Sequence, residues 1–246
     1  MSGTKRFFLI AAAGFFLLIP GRAFSFLLPN CTISADERTV PAEEVLKRYR
    51  EERSALASKE ELSRLAEYAR NPKIRLSEKE RSVAGEYHRL SVKIGFWEYV
   101  ANLKQALDTL PGNNGEEGVR EEADAIAKII VDRLYALSQQ WRVGNSAFVR
   151  NFLIHIGKEQ KGYCYHYADE LRKALLLRSW HHFALHWGTA HRDKKNENNA
   201  LVITAGGAPF EDGLMIDAWR KGGRPYFAPA SRDFYPWKED FDVVIE

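Results

Sequence analysis

The chain is poor in the residues that build covalent or metal frameworks. Its 246 residues include only two cysteines, Cys31 and Cys164, too few for a disulfide-dense scaffold. No Cys-x-x-Cys or His-Glu-x-x-His pattern occurs, so His181, His182, His186 and His191 have no metal-ligand spacing and no metal is expected. No glycine-rich phosphate loop is present either, and Ala205-Gly206-Gly207-Ala208-Pro209 reads as a hairpin turn. No cofactor is therefore expected. Internal repeats and low-complexity tracts are missing. An excess of one charge is missing too. The formal charge is +3, but Lys5, Arg6 and Arg22 lie in a targeting-like segment; without them 33 of the 36 basic residues face 33 acidic ones. A near-neutral chain gives no electrostatic case for nucleic-acid binding.

What is present fits a soluble globular chain, with hydrophobic content of 45% and charged content of 28%. The length can bury a full core. At the N-terminus, Lys5 and Arg6 precede the apolar run from Phe7 to Ile19, Pro20 ends it, and Ala23-Phe24-Ser25 supplies small residues. That is the order of a secretory signal, and the run is short for a membrane span. Residues 1–25 are expected to be a signal peptide cleaved after Ser25. The alternative is an uncleaved anchor lengthened by Phe26-Leu27-Leu28. Export to the periplasm or cell envelope, or secretion, follows. Cys31 then has two readings besides a free thiol. One is a disulfide with Cys164 in an oxidising compartment; the other is lipidation, although Leu28-Pro29-Asn30 lacks the small residue that such processing prefers. Membrane contact is expected only through an uncleaved N-terminus or a lipidated Cys31.

Residues 26–140 read as a helical region. Val45, Leu46 and Tyr49, then Leu62, Leu65, Ala66 and Ala69, recur at helical spacing. Ser58-Lys59-Glu60-Glu61 and Ser77-Glu78-Lys79-Glu80 have the form of capping boxes. Asn71-Pro72 and Pro111 to Gly115 are breaks. A further helix over about 116–140 carries Ile126, Ile129, Ile130, Leu134 and Leu137 as its buried stripe. From 141 to 246 the character changes. A helix opening at Cys164 has Tyr167, Ala168, Leu171, Ala174 and Leu175 on one face. His181 to Thr189, Asn199 to Ala205 and Gly213 to Trp219 are expected strands, because apolar residues alternate along the first and turns bound each of them. The class is α+β, helical first and then a helix packed on an antiparallel sheet.

Cys164 is the candidate nucleophile. A thiol opening a helix meets unpaired backbone N–H groups and the positive end of the helix dipole, and both favour the thiolate. Three motifs accompany it in order: Gly162-Tyr163-Cys164-Tyr165-His166, Glu197-Asn198-Asn199-Ala200-Leu201-Val202 and Gly213-Leu214-Met215-Ile216-Asp217-Ala218-Trp219-Arg220. Together they resemble bacterial transglutaminase-like proteins of the papain-like cysteine-enzyme superfamily, over roughly residues 141–237. The resemblance implies a Cys-bearing helix packed on an antiparallel sheet. It also implies Cys164 as nucleophile and Asp217 as the group that orients a histidine. The position of that histidine is filled here by Asn198, which has no nitrogen able to accept a thiol proton near neutral pH. His191 and His186 are the candidate substitute bases. His166 stands two residues beyond Cys164, where side chains diverge. With no histidine to orient, Asp217 can instead hold the Asn198 amide.

Two functions follow from these residues. The first is an exported thiol enzyme, attacking an amide or peptide carbonyl with Cys164 and passing the acyl group to water or an amine. The second is a catalytically reduced domain that uses the former cleft to bind a peptide, a cell-wall fragment or a partner protein. If Cys31 and Cys164 were bridged, the chain would be a structural envelope protein.

Overall fold

The computed structural model describes residues 31–71, 73–143 and 147–243. The expected signal peptide, and Pro72 of one expected break, lie outside them. Among the described residues, seven helices precede or flank one sheet. They are α1 (Ala35–Thr39), α2 (Ala42–Leu56), α3 (Lys59–Arg70), α4 (Glu78–Asp108), α5 (Glu117–Gln140), α6 (Ala147–His155) and α7 (Cys164–Leu175). The strands are β1 (Phe183–Ala190), β2 (Asn198–Ala205), β3 (Leu214–Ile216), β4 (Phe227–Pro229) and β5 (Lys238–Glu239). The chain has an α+β fold with a helical N-terminal half.

Local chemistry sets the helix starts. Ser58 accepts the Glu61 N–H at 3.2 Å, and Glu61 accepts the Ser58 N–H at 2.9 Å. Ser77 and Glu80 repeat the exchange at 3.3 and 2.7 Å. Each box satisfies two otherwise orphaned donors, and each serine cap contributes about 1 kcal/mol. Further along, α4 buries Leu90, Ile94, Trp97, Val100, Leu103 and Leu107 at helical spacing. In turn α5 presents Ile126, Ile130, Leu134 and Leu137 to the same core. Each such side chain, taken fully out of water, is worth roughly 1.5–3 kcal/mol. The segment before α1 is tied onto this bundle. The Ile33 N–H donates to Asp132 and Lys93 donates to the Thr32 carbonyl. Buried Glu37 accepts from Ser34 and Tyr49 and lies 3.6 Å from the Lys93 ammonium.

The sheet is antiparallel throughout, in the order β4-β3-β2-β1-β5. Its two faces differ in what they meet. Phe183, Leu201, Ile203, Leu214 and Ile216 join the large core shared with the helices, including Leu171 and Leu175 of α7. The alternate residues Ala200, Val202 and Met215 face a second cluster with Phe210, Ala230 and Trp237. One continuous core thus runs from Cys31 to Ala218, across the change of character at residue 140.

The third strand is shorter than its sequence pattern suggests. It ends at Ile216, the Asp217 N–H turns to the Tyr226 carbonyl at 2.9 Å, and a 3-10 turn follows over Trp219–Lys221. Asp217 therefore stands just past the strand end instead of within it. The segment before the Cys164 turn, Ala147–His155, is the helix α6.

Candidate functional site: a thiol at a helix start facing an Asn–Asp–Arg cluster

Two neighbours build the turn that presents Cys164. Gly162 has φ +122°, a region that favours glycine, and a Cβ there would lie 2.6 Å from Arg150 Nε. Arg150, nearly fully buried on α6, donates from Nε to the Lys161 carbonyl at 2.8 Å and pairs with Glu159 at 3.2 Å. The turn is thus clamped from behind. The first turn of α7 is closed by His166, whose Nδ1 accepts the backbone N–H groups of Gly162 and Tyr163, each at 3.1 Å. Burial lowers the His166 pKa, and the charge of Lys161 lowers it further. A neutral ring with Nδ1 unprotonated is what those two donors require. His166 is a capping group, and its acceptor nitrogen is already in use.

The thiol itself departs from the sequence expectation. The Cys164 pKa is raised, not lowered. Burial is the largest cause, and the charge of Asp217 adds to it. The Asn199 backbone N–H, the Tyr165 backbone N–H and the Asn199 side chain pull the other way and do not overcome it. A helix terminus favours the thiolate by a modest amount, whereas removing an anion from water costs more. Both cysteines are free, so the bridge between Cys31 and Cys164 is not formed.

Asn199 is the residue that sequence reasoning missed. It shares a strand face with Leu201 and Ile203, which pack toward α7, and its amides are the ones that bear on Cys164. The alternation along β2 carried that signal. Its side-chain oxygen accepts from Trp187 Nε1 at 2.9 Å and from Thr189 Oγ1 at 3.0 Å, and its Nδ2 donates to Glu197 at 3.1 Å.

Asn198 turns to Asp217 instead. Its Nδ2 donates to Asp217 Oδ2 at 3.1 Å, and its own Oδ1 accepts the Asn199 N–H at 3.1 Å. Arg220 donates from Nε to the same Asp217 oxygen at 2.7 Å and through both terminal nitrogens to Asp233, at 3.0 and 2.8 Å. The guanidinium lies between the rings of Tyr226 and Tyr235, 4.7 Å from each centroid. Although it is partly buried, which alone would lower its pKa, its two carboxylate partners keep the pKa raised. Trp237 Nε1 also donates to Asp233.

The two candidate substitute bases have other partners. His186 stands with its Nδ1 2.6 Å from Glu239 Oε1 and its Nε2 2.9 Å from Thr204 Oγ1, so both nitrogens are engaged away from the α7 face. Thr204 is wholly buried, and His186 and Glu239 keep 18% and 25% of their side chains exposed. His191, at φ +55°, begins the β1–β2 loop and packs edge-on against Tyr235 at 5.9 Å. Among the described residues, no three His, Cys, Asp or Glu side chains gather as a metal-ligating group.

Chemically, the arrangement contains a thiol, a buried carboxylate near enough for its charge to be felt, and two amides, Asn199 bearing on the thiol and Asn198 on the carboxylate. Comparison with protein-family models, with curated proteins and with solved structures finds no match to this chain.

Proposed function

We propose that this chain is an exported, transglutaminase-like domain of the cell envelope that has lost acyl transfer and uses the cleft at Cys164 to bind a peptide, a cell-wall fragment or a partner protein. The single observation that carries this reading is the Asn198–Asp217–Arg220 cluster beside a thiol whose pKa is raised. Thiol acyl transfer needs a thiolate and a group that returns a proton to the leaving amine. Here burial favours the thiol, and the amide at position 198 moves no proton. General acid–base catalysis typically contributes about two to four orders of magnitude, and His186, engaged by Glu239 and Thr204, is not free to supply it. The Asn198, Asp217 and Arg220 side chains instead satisfy one another's hydrogen bonds.

The test is the alkylation of Cys164 by iodoacetamide across pH, followed by mass spectrometry of the Cys164 peptide. The reading expects slow labelling at neutral pH, a rate that climbs only above the range of an ordinary thiol, and no turnover of generic amide or ester substrates. Rapid neutral labelling with a midpoint well below that of free cysteine, together with turnover, would establish the enzyme instead.

A further inference from the structure

The end of the molecule that carries Cys164 exposes aromatic side chains among unpaired cations. Several contacts gather the segments there. Arg150 joins α6 to the turn before α7, and Trp219 Nε1 donates to Asn151 of α6 at 3.0 Å. Arg220 draws in the turn around Asp233, and Tyr235 meets His191 of the β1–β2 loop. On these segments Phe234 is 89% exposed, Phe152 55% and Tyr165 46%. Around them Lys158, Lys161, Lys194, Lys195 and Lys221 are exposed, and none of the five forms an ion pair among the described residues. Elsewhere the basic residues of the helical half are commonly paired, as in Arg50–Glu98, Arg64–Glu80 and Lys104–Glu43. Of the acidic groups on these segments, Glu159 is paired with Arg150, Asp233 with Arg220, and Asp240 and Asp242 with Arg192, while Asp193 and Glu197 form no ion pair among the described residues.

We infer that this end is a docking surface for an anionic lipid bilayer, with Phe152, Tyr165 and Phe234 entering the interface and the lysines holding the headgroups. Phe234 stands at the tip of a turn and Phe152 on an outer helix face. Protruding rings suit a phase that yields around them, whereas a protein partner needs a pocket shaped to each. Aromatic side chains flanked by lysines match the composition of interfacial membrane contacts, and each cation near an anionic surface adds attraction that salt screens. This contact is separate from any made by the N-terminal apolar run, and it would turn the Cys164 cleft toward the bilayer. It stands independently of whether the cleft is catalytic.

The experiment places an environment-sensitive NBD fluorophore on the full chain through Phe234→Cys in a Cys164→Ser background, where Cys31 is buried and unlabelled. A second protein carries the probe on the exposed face of α2 through Glu51→Cys. With vesicles of equal parts phosphatidylglycerol and phosphatidylcholine, the probe at 234 should brighten and shift to the blue while the probe at 51 does not. Lys158→Glu with Lys161→Glu should weaken that response roughly tenfold or more, as should high salt. A dark probe at 234 on protein that sediments with the vesicles overturns the inference, because the N-terminus alone then accounts for binding. So does brightening by polyglutamate without any response to vesicles, which would assign the surface to an acidic polypeptide.

Discussion

Asn198 and Asp217 are bound to each other at 3.1 Å, both about 2% exposed, and the carboxylate oxygen that accepts the amide also accepts Arg220. On the proposed reading, the pair stands where a transglutaminase-like enzyme would set its histidine and aspartate. What holds the aspartate here is the guanidinium, which also holds Asp233. The cluster is therefore a buried ionic network first, and its energetics depend on its one cation.

Removing that cation should be costly. Arg220→Met leaves Asp217 and Asp233 buried without their partner, and uncompensated buried charge typically costs about 3–5 kcal/mol. Urea unfolding should show the loss as a shifted midpoint at an unchanged slope. Arg220→Lys should recover only part of it, because one ammonium cannot reproduce the fork across two carboxylates or the planar packing between Tyr226 and Tyr235. A midpoint within error of the parent protein for Arg220→Met would remove the network from any account of the fold.

A second expectation concerns alkaline pH. Burial pushes the Cys31 thiol from 9.0 up to about 11, with the nearby Lys93 opposing. The folded state therefore disfavours the thiolate more than the unfolded state does. Its contribution to stability is complete below the ordinary thiol pKa and is lost as pH rises from about 9 toward 11. By linkage the loss is at most about 2–3 kcal/mol. Melting temperature should fall across that window, and Cys31→Val, which keeps the apolar volume, should flatten the fall.

Much of the fold was legible because it is set locally. The boxes at Ser58 and Ser77 need only residues three apart, and the α7 stripe of Tyr167, Ala168, Leu171 and Leu175 needs only helical spacing. The first two strands were legible from alternation and turns. The contact of Asn198 with Asp217 was legible, and the state of Cys164 was not. Asn198 and Asp217 do meet, but burial decides the state of Cys164, and burial is a property of the assembled core. Which of the two asparagines meets the thiol depends on strand register. The neighbours Leu201 and Ile203 encode it, but only once the sheet face packed on α7 is known. The 3-10 turn that sets Arg220 on Asp217 is closed locally by Gly222 and Gly223, at φ +62° and +89°, whereas the contacts to Tyr226 and Asp233 that complete the cluster have no local signal.

His166 should give an acid-side signature. Its folded pKa lies below its ordinary value of 6.5, because burial and Lys161 disfavour the imidazolium, and the two backbone donors need Nδ1 bare. The stability this provides is complete above pH 6.5 and is lost as pH falls through that value toward the lower folded pKa. His166→Ala should cost about 1 kcal/mol or more through two unsatisfied N–H groups and should remove part of the acid dependence. Proton–nitrogen correlation spectra of the ring should show Nδ1 still unprotonated at a pH where exposed histidines are already charged.

The sharpest test of the cleft is to put a histidine back. Asn198→His places an imidazole where the amide now meets Asp217, so that one nitrogen donates to the carboxylate and the other is left for the thiol. Cys164 already senses the charge of Asp217, so a side chain that touches Asp217 lies in the right neighbourhood. Neutral-pH alkylation should then rise by roughly tenfold or more, toward the two to four orders that acid–base help can supply. The rate should also acquire a titration in the range of a histidine. Asn199→His is the control. It removes the oxygen that accepts from Trp187 and Thr189, so it should lower stability by about 1–3 kcal/mol without the gain in reactivity. Should Asn199→His activate the thiol while Asn198→His leaves it inert, the base position belongs to the neighbouring residue and the alignment of this chain with a transglutaminase-like site is off by one.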